Sequence, residues 1–158
     1  MEQAGIKTPL GWATIKGDER GIASITVSDH DHLIPDALIP EVLQEVVYQL
    51  NEYFLGKRKN FSVLLNPEGT PFQQRVWEAL CNIPHGETIS YLELSRQLGD
   101  EKAIRAVAAA NGKNPVWIII PCHRVIGSNG ALTGYAGGLW RKQWLLEHEN
   151  PPPQLKLF

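Results

Sequence analysis

The 158-residue chain has no uninterrupted apolar tract of about 18 residues or more, so no membrane-spanning helix is expected. Its first residues lack the basic segment followed by an apolar one that marks a secretory signal. Cysteine is scarce. Cys81 and Cys122 form neither a CxxC pair nor a Cys/His spacing, which argues against a zinc site, and no other metal or cofactor is implied. A disulfide between them would block the more interesting of the two thiols, so reduced cysteines and a cytoplasmic protein are expected. Positive charge is scarce as well, with a formal net charge of −2, which is a poor start for a nucleic-acid binder. The shortage is uneven, however. Residues 1–70 carry 6 Lys and Arg against 10 Asp and Glu, whereas residues 71–158 carry 9 against 7. Any phosphate binding therefore belongs to the second half and should be weak and salt-sensitive. Apolar residues are plentiful at 43%, enough for the core of one large or two small domains.

Leu10 to Lys16 and Gly21 to Val27 are short, β-rich and separated by Gly17-Asp-Glu-Arg20, the pattern of a β-hairpin. His30, Asp31 and His32 follow in a loop, where a solvated turn is the better reading because a metal would need a further ligand. Pro40 then opens a helix with Val42, Leu43, Val46, Val47, Leu50 and Phe54 along one face, and Gly56 ends it. Phe61 to Leu65 reads as a third strand. These elements make a small α/β unit over 1–66 in which no chemistry is visible, followed by a turn-rich linker at 67–71. In the next unit, 72–150, Phe72 to Cys81 is predicted to be a helix with Phe72, Val76, Trp77 and Leu80 inward. Thr88 to Leu98 and Lys102 to Asn111 are two more, separated by Gly99-Asp100. Two short helices joined by a tight glycine turn suggest a helix-turn-helix, with an ordinary αα-hairpin as the alternative. Residues 151–158 form a Pro-rich tail.

The second of those helices has an unusual surface. Ala103, Ala106, Ala108, Ala109 and Ala110 leave little side chain, and Arg105 projects from the middle. Reading base edges in a major groove needs several Asn, Gln or Arg side chains, and this helix has one. Small residues let a backbone approach a narrow minor groove, although packing on the core would favour alanine too.

The densest chemistry lies in Asn114-Pro-Val-Trp-Ile-Ile-Ile-Pro-Cys-His-Arg-Val125. Val116 to Ile120 is β-branched except for Trp117 and reads as a short buried strand ended by Pro121. A thiol, an imidazole and a guanidinium follow. A free thiol, with a pKa of about 8.5, needs a neighbouring base to supply thiolate at neutral pH. The bland reading of Cys122 is a buried small hydrophobe. His123 could assist only if the chain turns after Pro121 or a water intervenes, because adjacent strand residues face opposite ways.

Pro121-Cys-His-Arg-Val125, with Asn114-Pro115 before it, resembles the active-site signature of the O6-alkylguanine-DNA alkyltransferases. Gly86-Glu-Thr-Ile-Ser-Tyr91, Arg105-Ala-Val107, Gly134-Tyr-Ala-Gly-Gly138 and Trp144-Leu-Leu-Glu-His-Glu149 fall where that family has them. The likeness is dense from Phe72 to Asn150 and present only in outline before that. It implies a ribonuclease H-like α/β N-terminal domain, a small antiparallel sheet plus a helix. A mainly α, winged-helix-like domain with a helix-turn-helix would follow. The implied function is DNA repair: direct, single-turnover transfer of the alkyl group from O6-alkylguanine, and O4-alkylthymine, to Cys122 after base flipping. A thioether is a poor leaving group, so each molecule would act once.

The resemblance also implies roles for particular residues. His123 would act on the thiol through a water, and Glu149 would orient His123, with Glu147 as the competing carboxylate. Asn114 would tie the turn before the active-site segment. Tyr91 would crowd the 3′ phosphate and meet the flipped base. Arg105 would take the vacated place in the stack as its helix enters the minor groove of double-stranded DNA. Ser90, Ala106, Ala108 and Ser128 would be further DNA contacts, and Val125, Tyr135, Ala136 and Trp117 would form the substrate pocket. The protein would be a monomer without metal, cofactor or membrane attachment.

Two departures bear on specificity. Ala136 stands where many relatives have Ser, which removes a hydroxyl near the leaving oxygen. Trp117 stands where some have proline or a small residue, and would narrow the pocket if it faces it. The zinc-binding positions of some N-terminal domains have no counterpart. A non-enzymatic lesion-recognition module is the main alternative, but it would lack the cysteine. A cysteine hydrolase would need an oxyanion hole for which no Gly-rich loop precedes Cys122. The tail, Gln154-Leu-Lys-Leu-Phe158 behind three prolines, is similar to the peptides by which bacterial repair proteins dock on the sliding clamp. Gln154, Leu155, Leu157 and Phe158 would be the anchors there, unless they pack on their own domain.

Overall fold

Gly11 and Gly21, with φ of 126° and 134°, turn the first 28 residues into an antiparallel meander, in backbone conformations that other residues rarely adopt. The strands are β1 (Glu2–Thr8), β2 (Gly11–Asp18) and β3 (Gly21–Ser28), in the order β1-β2-β3. The computed structural model describes residues 1–29, 38–132, 135 and 137–151; His30, Asp31, His32, Gly134, Ala136 and the anchors Gln154, Leu155, Leu157 and Phe158 lie outside them. The expected hairpin is β2–β3, with Ile15 opposite Ile25. β1 was not expected. Its weak alternation buries only Ala4, Ile6 and Thr8, and the Trp12 ring lies over Gly5.

Phe61–Leu65 is not the third strand. It makes one parallel bridge, Leu65 to Ile22, flanked by Ile22 N–H to Leu64 O and Asn66 N–H to Ile22 O, both 2.8 Å. Further along the same edge of β3, Ile25 N–H donates to Pro115 O at 2.9 Å and Ile25 O accepts from Trp117 N–H at 3.1 Å. Two segments share that edge, so neither extends into a ladder.

α1 (Glu41–Phe54) follows Pro40 and buries Leu43, Val46, Val47, Leu50 and Tyr53, packing on β1 and β2. Val42, expected on that face, is 39% exposed, whereas Tyr53 is fully buried. α2 (Pro71–Leu80) starts with a capping box between Thr70 and Gln73, and its Trp77 indole donates to Ala110 O at 2.9 Å. α3 (Tyr91–Gln97) begins later than Thr88 because Ser90 caps it. Ile89–Ser90 (β4) instead pairs in parallel with Val125–Ile126 (β5). After Gly99, a 3-10 turn (Glu101–Ala103) leads into α4 (Ile104–Gly112), and α3 packs on α4 as a helix-turn-helix requires. α5 (Leu139–Glu149) closes the fold. Among the described residues no helix is long and apolar enough to cross a membrane.

Val116–Ile120 is buried throughout but is not a strand. Only Val116 bridges β3. The chain then coils, with Ile119 N–H to Trp117 O at 2.8 Å and Ile120 N–H to Val116 O at 3.1 Å, and Ile118 sits at φ 71°. A β-branched residue there is a genuine outlier, held in place by its surroundings. A buried apolar run shows burial, and its periodicity alone does not distinguish a strand from a compact turn.

Candidate active site

The coil at 116–120 is held by Asn114. Its Oδ1 accepts Val116 N–H at 2.9 Å, and its Nδ2 lies 2.7 Å from Ile120 O and 3.2 Å from Cys122 Sγ. One amide thus ties the end of α4 to the turn and to the thiol. Beyond Pro121 the chain does turn, as a 3-10 turn over Cys122–Arg124, so His123 is directed inward rather than to the opposite face of a strand. It is fully buried.

His123 Nε2 lies 2.7 Å from Glu149 Oε2 at the C-terminal end of α5. A carboxylate there opposes the helix dipole, and the Arg124 guanidinium compensates. Arg124 Nε donates to Oε1 at 2.8 Å and Nη2 to Oε2 at 3.0 Å, while Nη1 donates to Ile83 O at 2.6 Å. Tyr53 also donates to Oε2, at 2.6 Å. Burial alone would raise the Glu149 carboxyl, but the hydrogen bonds from His123 and Arg124 outweigh it and hold it well below the usual carboxylate range. Glu147 is exposed and, among the described residues, accepts from Gln143 alone, so the competing carboxylate stands apart from the site.

Burial holds the His123 imidazole below its ordinary value despite Glu149. A neutral imidazole donating Nε2–H to an ionised carboxylate leaves Nδ1 as an acceptor, and Nδ1 is buried with no hydrogen-bond partner among the described residues. Burial likewise pushes the Cys122 thiol up, and the Asn114 hydrogen bond and the Lys142 charge reduce the shift without reversing it. Cys122 therefore rests as a protonated thiol beside a neutral imidazole with an available lone pair. That pairing suits proton removal during attack rather than storage of a thiolate. Both cysteines are free, with Cys81 at the end of α2.

Cys122, Asn114, Trp117, Tyr135 and Gly137 line a cavity of about 200 Å³ together with Ile25 and Val27 of β3. Trp117 is buried and leans on Phe54 at 6.1 Å. Val125 is fully buried on β5 and does not line the cavity. Tyr91 opens α3 half-buried, with Lys142 Nζ 5.9 Å from its ring centre. On α4, Arg105 and Ala106 are exposed and Ala108 is half-buried, while Val107 and Ala110 face the core. Ser90 caps α3, and Ser128 is exposed. Among the described residues no cluster of His, Cys, Asp or Glu could hold a metal ion.

Tyr53 and Lys142 were not anticipated. Tyr53 sits one position before the predicted Phe54 on α1, and its partner is 96 residues away. Lys142 lies in α5, to which the sequence reading assigned no element; its amine is fully buried and close enough for its charge to act on Cys122.

Two family profiles match the chain: 6-O-methylguanine DNA methyltransferase, ribonuclease-like domain, over residues 3–67, and 6-O-methylguanine DNA methyltransferase, DNA binding domain, over residues 71–151. The methylated-DNA–protein-cysteine methyltransferase of Methanosarcina acetivorans is 46% identical over 95% of this chain and 99% of its own. The crystal structure of the Mycobacterium tuberculosis O6-methylguanine methyltransferase superposes with a TM-score of 0.83 at 44% identity, covering 99% of this chain and 98% of that one. A crystal structure of Mycobacterium tuberculosis OGT in complex with DNA has a TM-score of 0.83 at 45% identity, covering 92% and 90%.

Proposed function

Since the chain belongs to the 6-O-methylguanine DNA methyltransferase family, with a ribonuclease-like and a DNA-binding domain, we propose that Cys122 is the residue on which its reaction ends. The activity is that of a methylated-DNA–protein-cysteine methyltransferase: DNA repair by alkyl transfer from the damaged base to a protein cysteine. Binding without chemistry is not favoured. The observation that carries the assignment is the Cys122 thiol in the cavity, beside a neutral His123 whose other nitrogen is fixed by Glu149.

His123 Nδ1 takes the thiol proton, through a bridging water, as sulfur attacks the alkyl carbon of O6-alkylguanine. The S–C bond forms as the C–O6 bond breaks, the electron pair returns to the guanine ring, and the proton leaves with guanine. The same displacement serves O4-alkylthymine. The product is a thioether that nothing in the site cleaves. One methyl per molecule from an O6-methylguanine duplex, followed by a halt, is the expected course; repeated turnover contradicts it.

The target atom lies inside the duplex, so the nucleotide has to be flipped out at a cost of a few kcal/mol. Exposed Arg105 on a helix of small residues supports docking in the minor groove with Arg105 filling the gap. Tyr91 stands beside the rotating nucleotide, and Ser90, Ala106, Ala108 and Ser128 make further contacts. Arg105→Ala should slow repair of duplex DNA at least tenfold more than reaction with the free base, because only the duplex requires flipping. Equal losses on both substrates would assign Arg105 to folding.

Asn114 positions the thiol, and Trp117 and Tyr135, which line the cavity, enclose the alkyl group; Val125 stands behind it in the core. Trp117 then limits adduct size. Replacing a buried Trp by Ala costs about 3–5 kcal/mol, so Trp117→Leu is the better probe. It should raise the rate on a benzyl adduct relative to methyl; parallel changes on both would remove Trp117 from the pocket.

The tail, Gln154, Leu155, Leu157 and Phe158 behind three prolines, has the composition of an extended peptide with apolar anchors. It docks on a bacterial sliding clamp in this reading, which would offset the modest positive charge of the DNA-binding half. A labelled Pro151–Phe158 peptide should bind purified clamp, and failure to bind would leave the anchors packing on their own domain. A monomer in the cytoplasm is consistent with the free thiols.

A further inference from the structure

Tyr53 belongs to the ribonuclease-like half, where the sequence shows no chemistry. It is 0% exposed. Its hydroxyl donates to Glu149 Oε2 at 2.6 Å, and the same oxygen receives His123 Nε2–H at 2.7 Å. Its backbone carbonyl receives His148 Nε2–H at 2.6 Å. Consecutive residues of α5 therefore grip Tyr53 at both ends. The ring stands edge-on to His148, Phe54 and His85 at 5.1, 5.5 and 6.1 Å. Burial, and then the adjacent Glu149 charge, push the phenol far above its ordinary value, so it remains a donor.

We propose that Tyr53 is a positioning residue for alkyl transfer, a donor supplied by the N-terminal half that shares Glu149 Oε2 with His123 and thereby sets the basicity of His123. This rests on the reading of Cys122, His123 and Glu149 given above. Arg124 already fixes the plane of the carboxylate through both oxygens, so Tyr53 is not needed merely to hold Glu149 in place. Its contribution is to divide the charge on Oε2. Without the phenol, more of that charge falls to His123 Nε2–H, and the imidazole holds a proton more tightly. The other groups facing this pair are Arg124 and Cys122 on the same turn, Lys142 on α5, Tyr135 at the cavity, and His85 after α2. Of these, Arg124 also donates to Glu149 Oε2, at 3.0 Å.

The test is Tyr53→Phe in the full chain, which keeps the ring and deletes the donor. Single-turnover transfer from an O6-methylguanine duplex is followed across about pH 5 to 9. Rates are referred to the fraction of Cys122 alkylated at completion, so loss of folded protein lowers the amplitude and leaves the rate constant. The plateau rate, where His123 is neutral, should hold or rise slightly, because a more basic imidazole takes the thiol proton at least as readily. The acid limb should move to higher pH, because His123 must still be deprotonated to act. His148→Gln, which disturbs the carbonyl end of the same helix contact, should leave the limb where it is. An unmoved limb in Tyr53→Phe, whatever its rate, or an equal shift in His148→Gln, would overturn the proposal in favour of simple domain docking. No transfer by the unaltered protein would instead remove the underlying assignment of Cys122.

Discussion

Cys122→Ala should abolish alkyl transfer while leaving affinity for alkylated duplex within about twofold, since most residues of an interface cost little binding energy when truncated. Cys122 is 7% exposed and lines the cavity, whereas the features that support DNA binding, Arg105 and the small-residue face of α4, lie elsewhere on the surface. Alanine removes one sulfur from a partly open site and one hydrogen bond from Asn114, whose Nδ2 keeps Ile120 O at 2.7 Å. The fold should therefore survive, and the loss should be chemical. His123 and Glu149 would remain in place without a nucleophile to serve. Binding measured by titration with labelled duplex, alongside transfer measured on the same preparation, separates the two effects. Residual transfer in the alanine variant would transfer suspicion to Cys81, which is exposed at the end of α2.

Glu149→Gln should be the most damaging change outside the nucleophile. The carboxylate takes hydrogen bonds from His123, Arg124 and Tyr53, all on buried atoms. Neutralising it strands the Arg124 cation, whose side chain is only 8% exposed. Breaking one side of a buried pair costs about 3–5 kcal/mol, which corresponds to a melting temperature lower by roughly 10 °C in a chain of this size. Transfer should fall by at least a hundredfold, because His123 loses the group that selects its tautomer and orientation; removal of comparable partners costs about 10²–10⁴. Glu147→Gln should change neither property. If the two variants behave alike, the charge cluster around Glu149 is not the support of the site.

The pH dependence of stability follows from the same cluster. The folded Glu149 binds its proton more weakly than the unfolded one, so its contribution is present above about pH 4.5 and lost as pH falls below that. The folded His123 is also depressed, so the unfolded state takes up a proton first and stability begins to fall below about pH 6.5. Both act in the same direction, towards acid lability. Glu149→Gln removes the lower part of that dependence.

What the sequence revealed about the site was tied to local spacing. The order of five motifs brought Cys122, His123 and Glu149 into one reading, and helix geometry then separates Glu149 from Glu147, because residues two apart do not share a face. The same local signals misread Val116–Ile120. Its β-branched run is as buried as expected, but the conformation is set by Asn114, which lies before the run and satisfies it from outside. β1 escaped notice for the opposite reason: Gln3, Gly5 and Lys7 carry little β propensity, and pairing with β2 supplies what the segment itself lacks. Tyr53 shows where local reading ends. A tyrosine on the buried stripe of an amphipathic helix is ordinary core until its hydroxyl finds Glu149, and no periodicity within α1 points to a carboxylate 96 residues away.

The central claim, that the damaged base gives its alkyl group to Cys122 through the His123–Glu149 pair, is tested most directly by locating the group after reaction. The protein is incubated with a duplex carrying isotopically labelled O6-methylguanine and then digested, and the peptides are weighed. One labelled methyl per molecule on the peptide containing Cys122, with restored guanine in the DNA, is the expected result. Label on Cys81 or on any other residue, or restored guanine with an unmodified Cys122, would contradict it.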